Sequence, residues 1–209
     1  PPGSGKTTTL YSIMFLLNKP GVKIITLEDP VEYRMAGVNQ SQVDAAHGYT
    51  FASGLRSILR QDPDIAMVGE IRDLETTEIA IQAALTGHLM LSTLHTNSAA
   101  AALPRFISMG AKPFLLAPAL NCIIGQRLVR RVCSKCKQEV ELGEEDIKKV
   151  KEVIAKMPDK TKEEVIARKL VFYKGGGCEV CHGIGYKGQV GVYEILVLTE
   201  EIKKTLLAG

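Results

Sequence analysis

The chain has 209 residues, 45% hydrophobic and 23% charged, which is a globular composition with room for one core domain and a smaller companion. Its 26 basic and 23 acidic residues leave a net charge of +3, and only 5% of residues are aromatic, so neither a basic stripe nor base-stacking aromatics mark a nucleic-acid surface. The longest apolar stretches, Ala99 to Leu103 and Phe114 to Leu120, are interrupted or bounded by Pro104, Pro113 and Pro118 and fall short of the roughly 20 residues that span a bilayer.

The first residues, Pro1-Pro2-Gly3-Ser4-Gly5-Lys6-Thr7, carry the end of a Gly-x-x-x-x-Gly-Lys-Ser/Thr phosphate cradle. Its leading glycine is expected ahead of Pro1, so the chain is expected to be cut inside its own motif. Gly3, Ser4, Gly5, Lys6, Thr7 and Thr8 form the expected nucleotide-binding set. The glycines turn backbone N–H groups toward phosphate, Lys6 reaches the β- and γ-phosphates, and the Thr7 hydroxyl ligates Mg²⁺. A helix through Leu17 follows, with its N-terminal dipole facing the phosphates.

Val22 to Leu27 reads as a buried strand that delivers Glu28-Asp29-Pro30-Val31-Glu32-Tyr33 to its carboxyl end. Carboxylates at that edge of a parallel sheet handle Mg²⁺ or water; the alternative is an acidic turn ended by Pro30. Residues 37–49 read as a loop, and Thr50 N-caps a helix to Arg60 with Phe51, Leu55, Ile58 and Leu59 on one side. Asp62-Pro63-Asp64 breaks it, and Ile65 to Val68 forms a second buried strand ending in Gly69-Glu70. Gly69 stands where many phosphate-loop enzymes carry an Asp, which leaves Glu70 to orient and polarise an attacking water.

A helix from Leu74 to Thr86 ends at Gly87, and His88 to Leu94 forms a third strand followed by His95. His95 is either a satisfied imidazole or a phosphate sensor. Residues 98–131 read as mostly helical, closing in the basic run Gly125 to Arg131. Arg127 there is either solvated or reaches nucleotide or a neighbouring subunit.

Cys133-Ser-Lys-Cys136 and Cys178-Glu-Val-Cys181 give four thiolates suited to a closed tetrahedral Zn²⁺ site. Thiols of this pattern beside a phosphate loop point to the cytosol. Between the pairs, Glu144 to Met157 and Lys162 to Leu170 read as charged amphipathic helices. Cys122 reads as a small buried hydrophobe, and His182 as an exposed or supporting group rather than a ligand. Gln189 to Leu198 is β-rich, a helix starts near Thr199, and a second cut is expected at Gly209. The expected domains are 1–132, an ATPase core; 133–188, a tetracysteine subdomain; and 189–209, the start of a C-terminal helical subdomain.

The cradle, TLEDPVEY (26–33), RQDPDIAMVGEIRD (60–73) and TGHLMLSTLHTN (86–97) together resemble the secretion ATPase superfamily, specifically the motor ATPases of type IV pilus assembly and type II secretion. The resemblance covers nearly the whole chain, and a Walker B strand ending in Gly-Glu is that family's usual form. It implies an α/β, RecA-like P-loop core with a parallel-rich sheet and an inserted zinc subdomain. ATP, Mg²⁺ and Zn²⁺ are the implied cofactors. Glu70 corresponds to the catalytic glutamate, Glu28 and Asp29 to the Asp box and His95 to the His box. Glu28 and His95 are grouped with Glu70 as catalytic, and Asp29 and Arg127 with the nucleotide-binding residues.

The resemblance further implies a homo-hexameric ring at the cytoplasmic face of the inner membrane, acting on platform and assembly proteins and not on nucleic acid. A domain ahead of this one would close on the nucleotide and supply arginines, so the isolated chain is expected to bind ATP weakly or not at all. Pilus retraction ATPases generally lack the four cysteines, which favours assembly or secretion. A nucleic-acid motor or DNA-uptake ATPase, and a zinc-organised scaffold with an inert core, remain alternatives.

Overall fold

The computed structural model of the chain describes residues 3–168 and 170–208. Pro1 and Pro2 of the cradle, Lys169 within the stretch expected to be helical from Lys162 to Leu170, and Gly209 lie outside the described residues.

The sheet at the centre is parallel, with strands β1 (Ile24–Glu28), β2 (Val38–Gln42), β3 (Ile65–Val68) and β4 (Leu89–Ser92) in the order β2-β1-β3-β4. β1 and β3 are buried along their whole length, as continuous apolar runs in a sheet covered on both faces should be. Their side chains alternate between two clusters. Ile24, Ile65 and Met67 pack on Leu10, Tyr11 and Met14 of α1 (Lys6–Leu17). Ile25, Leu27, Ala66 and Val68 meet Leu55 and Ile58 of α2 (Phe51–Leu59) and Ala80 and Ile81 of α3 (Leu74–Leu85).

The helix ends follow local chemistry. Thr50 caps α2 in a reciprocal box with Ser53: the Ser53 N–H reaches Thr50 Oγ1 at 3.2 Å, and the Thr50 N–H reaches Ser53 Oγ at 2.9 Å. Asp73 caps α3 by accepting from the Thr76 N–H at 2.7 Å, and Gly87, at φ +106°, follows its last turn.

Two stretches depart from expectation. Residues 37–49, expected as a loop, contain β2, a polar strand specified by its backbone pairing with β1 rather than by an apolar pattern. In residues 98–131, expected to be mostly helical, the short helices α4 (Ala102–Ser108) and α5 (Pro113–Ala119) give way to β5 (Cys122–Val132). The basic run is therefore strand, in which β-branched Ile123, Ile124, Val129 and Val132 favour the extended form. Cys122 opens that strand and is exposed, not buried.

Beyond β5 come β6 (Lys137–Val140), α6 (Glu144–Ala155), α7 (Asp159–Ile166), β7 (Phe172–Gly175), β8 (Tyr186–Val197) and α8 (Glu200–Ala208). β6 pairs antiparallel with β7, and β5 and β8 form a second two-stranded sheet. The chain divides into two compact units, Pro1–Leu128 with Gly191–Gly209, and Val129–Val190. No described helix is long and apolar enough to cross a membrane.

Candidate functional site

Three strands and one helix start converge at the carboxyl edge of the parallel sheet, where open α/β sheets place their ligands. A cavity of about 170 Å³ there is lined by Lys6 and Thr7 from the first turn of α1, Glu28, Asp29 and Glu32 after β1, Gly69 and Glu70 after β3, and Thr93 and His95 after β4. A larger cavity of about 390 Å³ lies among α1, α3, β4 and the start of β5 and is lined chiefly by aliphatic side chains. The smaller one gathers the ionisable groups and is the candidate site.

The cradle is shaped by glycine. Gly3 and Gly5 both have positive φ, +67° and +81°, and Gly5 stands at the N-cap of α1. A Cβ on Gly5 would also come within 2.9 Å of the Gln126 amide, so the end of that side chain would have to shift. Ser4 is buried, whereas Thr8 is exposed and does not line the cavity. Arg127 is not brought there either: its guanidinium donates to the Asn97 carbonyl at 2.9 Å. Its neighbour Gln126 takes the cradle side of β5 and accepts a hydrogen bond from Thr9 at 2.7 Å.

The two glutamates differ in how they are held. Glu28 is buried and accepts from three uncharged donors: the Tyr11 hydroxyl on one oxygen, and Thr26 Oγ1 at 2.5 Å and Gln40 Nε2 at 3.2 Å on the other. The Tyr11 ring lies 4.3 Å from that of Tyr33, which ties α1 to the turn carrying Asp29 and Glu32. Burial, together with the hydrogen bond and charge of Glu28, pushes the Tyr11 phenol up to about 12.

Glu70 instead meets polar partners at the surface. Arg72 Nη2 donates to its Oε1 at 2.5 Å, and His95 Nε2 lies 3.1 Å from its Oε2. A carboxylate only accepts, so this contact places the His95 proton on Nε2. The Arg72 guanidinium is held more firmly protonated than usual, by its hydrogen bond to Glu70 and then by that carboxylate's charge. Tyr11, Gln40 and Gln126 had no motif to announce them, and Arg72, inside the 60–73 stretch, was given no role there; only the fold shows what they touch.

In the second unit the Sγ atoms of Cys133, Cys136, Cys178 and Cys181 all lie within 4.8 Å of one another. Cys133 and Cys178 are 3.9 Å apart, Cys136 and Cys181 3.8 Å, and Cys178 and Cys181 3.7 Å. Four sulfurs at about 2.3 Å from a central ion stand about 3.8 Å apart, so these thiols fit a tetrahedral Zn²⁺, and they are far beyond disulfide length.

Burial raises the Cys181 thiol, but the N–H groups of Cys178 and Gly185, 3.2 and 3.3 Å from its sulfur, outweigh that and bring it down to about 6. Burial and the surrounding thiols push Cys136 up to about 12. Gly177, Gly183 and Gly185 all have positive φ and make the tight turns around the sulfurs. His182 is exposed and outside the cluster.

Residues 1–209 match the family described as Type II/IV secretion system protein. The chain is 48% identical over 209 residues to the type IV pilus assembly ATPase PilB of Thermus thermophilus, covering 100% of this chain and 22% of that protein. It is 45% identical over 209 residues to the type II secretion system protein E of Dickeya dadantii, covering 100% of this chain and 39% of that protein. Among solved structures, the pilus retraction motor PilT with bound ADP superposes with a TM-score of 0.65 at 28% identity, over 100% of this chain and 48% of that one. The Legionella pneumophila ATPase DotB gives 0.64 at 26%, over 100% and 46%.

Proposed function

Since the chain belongs to the Type II/IV secretion system protein family, we propose that the complete protein hydrolyses ATP in the cavity at the sheet's carboxyl edge and serves as a motor subunit in pilus assembly or type II secretion. The observation that carries this reading is the meeting of Lys6, Thr7, Asp29, Glu70 and His95, drawn from four separate segments, on one cavity behind a glycine-shaped cradle.

Lys6 and the backbone of Gly3 to Thr7 would hold the phosphates, and Thr7 with Asp29 would hold the Mg²⁺ that accompanies them. Mg²⁺ when bound would neutralise charge on the phosphate oxygens. Glu70 orients water, and His95 reports the γ-phosphate. Zn²⁺ held by Cys133, Cys136, Cys178 and Cys181 would close the second unit. The four-cysteine cluster, and the pilus assembly and type II secretion relatives, favour assembly or secretion over retraction.

The complete protein acts in this reading as a homo-hexamer at the cytoplasmic face of the inner membrane, engaging platform proteins there. ATP turnover by the complete protein, compared with its Glu70→Gln variant, tests the reading. Glu70-dependent release of phosphate is expected; no turnover, or turnover indifferent to Glu70, would refute it.

A further inference from the structure

Glu70 sits on a backbone fixed from both sides. Gly69 lies against β1, where a Cβ would stand 3.4 Å from the Leu27 carbonyl oxygen, and its N–H donates to that oxygen at 2.8 Å. Thr93 then clamps the two peptide groups flanking Glu70: its hydroxyl donates to the Gly69 carbonyl at 2.7 Å, and its carbonyl accepts from the Ile71 N–H at 3.0 Å. Arg72 follows at once and is fixed on its other side by the Asp73 cap of α3. The short span from Gly69 to Asp73 is thus tied to two strands and a helix, and Arg72 is aimed back at Glu70 by that backbone.

The geometry divides the carboxylate between two tasks. Glu70 lines the cavity, as do Lys6, Glu28, Asp29, Glu32 and His95, but Arg72 does not. Arg72 takes Oε1, and His95, which does line the cavity, meets Oε2. We propose that Arg72 is a positioning residue for ATP hydrolysis: by holding Oε1 it fixes the rotation of the Glu70 carboxylate so that Oε2 is the oxygen presented to the attacking water. This rests on the ATPase reading above.

In that step the water oxygen forms a bond to the γ-phosphorus as the bond to the β,γ-bridging oxygen breaks. ADP leaves with that oxygen, and the water proton passes to Glu70 Oε2. Arg72 touches neither phosphate nor water. A guanidinium that held Glu70 only for stability would be a surface ion pair worth little, because Arg72 is mostly exposed. Its value lies in orientation, where a small misplacement of a catalytic group costs rate rather than affinity.

The test uses the complete protein and its Arg72→Gln and Arg72→Lys variants, with Glu70→Gln as reference. Arg72→Gln should lower kcat about tenfold and leave the KM for ATP within about twofold, the pattern of an interaction realised in the transition state. Arg72→Lys should recover part of kcat, since the charge persists without the planar fork. Affinity for ATPγS, read by displacement of a fluorescent ADP, should be unchanged in Arg72→Gln.

An unchanged kcat, a loss confined to KM, or weakened ATPγS binding would overturn the assignment, the last by showing that Arg72 touches phosphate itself. Wild-type turnover that needs Glu70 but ignores Arg72 removes this proposal alone. Absence of Glu70-dependent turnover removes the ATPase reading and this proposal with it.

Discussion

The cleft at the sheet's carboxyl edge and the four-cysteine centre both gather distant residues to one place, by opposite means. The first unit has two apolar clusters on the two faces of its sheet, so the cleft exists before any ligand arrives. In the second unit, among the described residues, neither cluster contributes a side chain, and Cys133 and Cys181 are the only buried cysteines of the chain. α6 and α7 bury no residue, and Ile147, Val153 and Ile166 stay exposed. A region of this size without an apolar core needs another staple, and the sulfurs are where it can be applied. In the proposed reading nucleotide therefore visits one site, and a metal completes the other.

The largest expected effect follows from that contrast. Removing the metal, by chelation or by Cys178→Ser, should unfold residues 129–190 and leave the parallel sheet intact, since structural Zn²⁺ contributes on the order of 10 kcal/mol of binding free energy to folding. Hydrogen exchange resolved along the chain checks this, with metal analysis expected to find about one Zn²⁺ per chain before chelation. Retained protection in 129–190 without metal would break the comparison.

Within the cleft the two glutamates should separate in the same spirit. Glu70→Gln should cut kcat by roughly 10²-fold or more while barely moving Tm, because its partners are exposed side chains and what is lost is the base. Glu28→Gln should do the reverse first. It sets an amide N–H₂ against donors already aimed at a carboxylate, which costs about 1–3 kcal/mol of stability. Thermal melts and steady-state kinetics on the two variants measure both. A Glu28 variant with an unchanged Tm would mean that the buried carboxylate is not the fixed wall its three donors describe.

Much of the cleft was legible because its elements are locally consistent. The helix after Lys6, the apolar runs of β1 and β3, the Thr50 cap and Gly87 each announce themselves within a few residues. The polar strand ends could be named because parallel topology forces such ends to one edge. β2 could not be read: Val38-Asn-Gln-Ser-Gln has no apolar rhythm and is a strand only because β1 lies beside it. Missing β2 also hid Gln40, and with it the reason Glu28 is held rather than free.

The basic run of β5 misled for a related reason, since charge says nothing about backbone form, and Arg127 proved to face Asn97 while Gln126 faced the cradle. Tyr11 looked like any core aromatic. Its hydroxyl acquires meaning only when α1 is laid over β1.

That hydroxyl gives the smallest and most specific expected effect. The Tyr11 phenol is raised to about 12 in the folded protein, against about 10 in an unfolded chain. A raised acid keeps its proton in the fold, so the stability it contributes is fully present below pH 10 and is lost as pH rises through about 12. Tyr11→Phe lacks both the hydroxyl and this titration. It should therefore be less stable than wild type near pH 8, by about 1 kcal/mol for one buried hydrogen bond, and the gap should close as pH rises toward 12.

Urea unfolding of the first unit in both proteins across that range measures the gap, and groups common to both cancel in the difference. The four-cysteine centre should fail at the opposite end, because acid protonates its thiolates and releases the metal. A gap that stayed constant from pH 8 to 12 would mean that Tyr11 is packing alone, and that the wall behind the cleft is apolar rather than hydrogen-bonded.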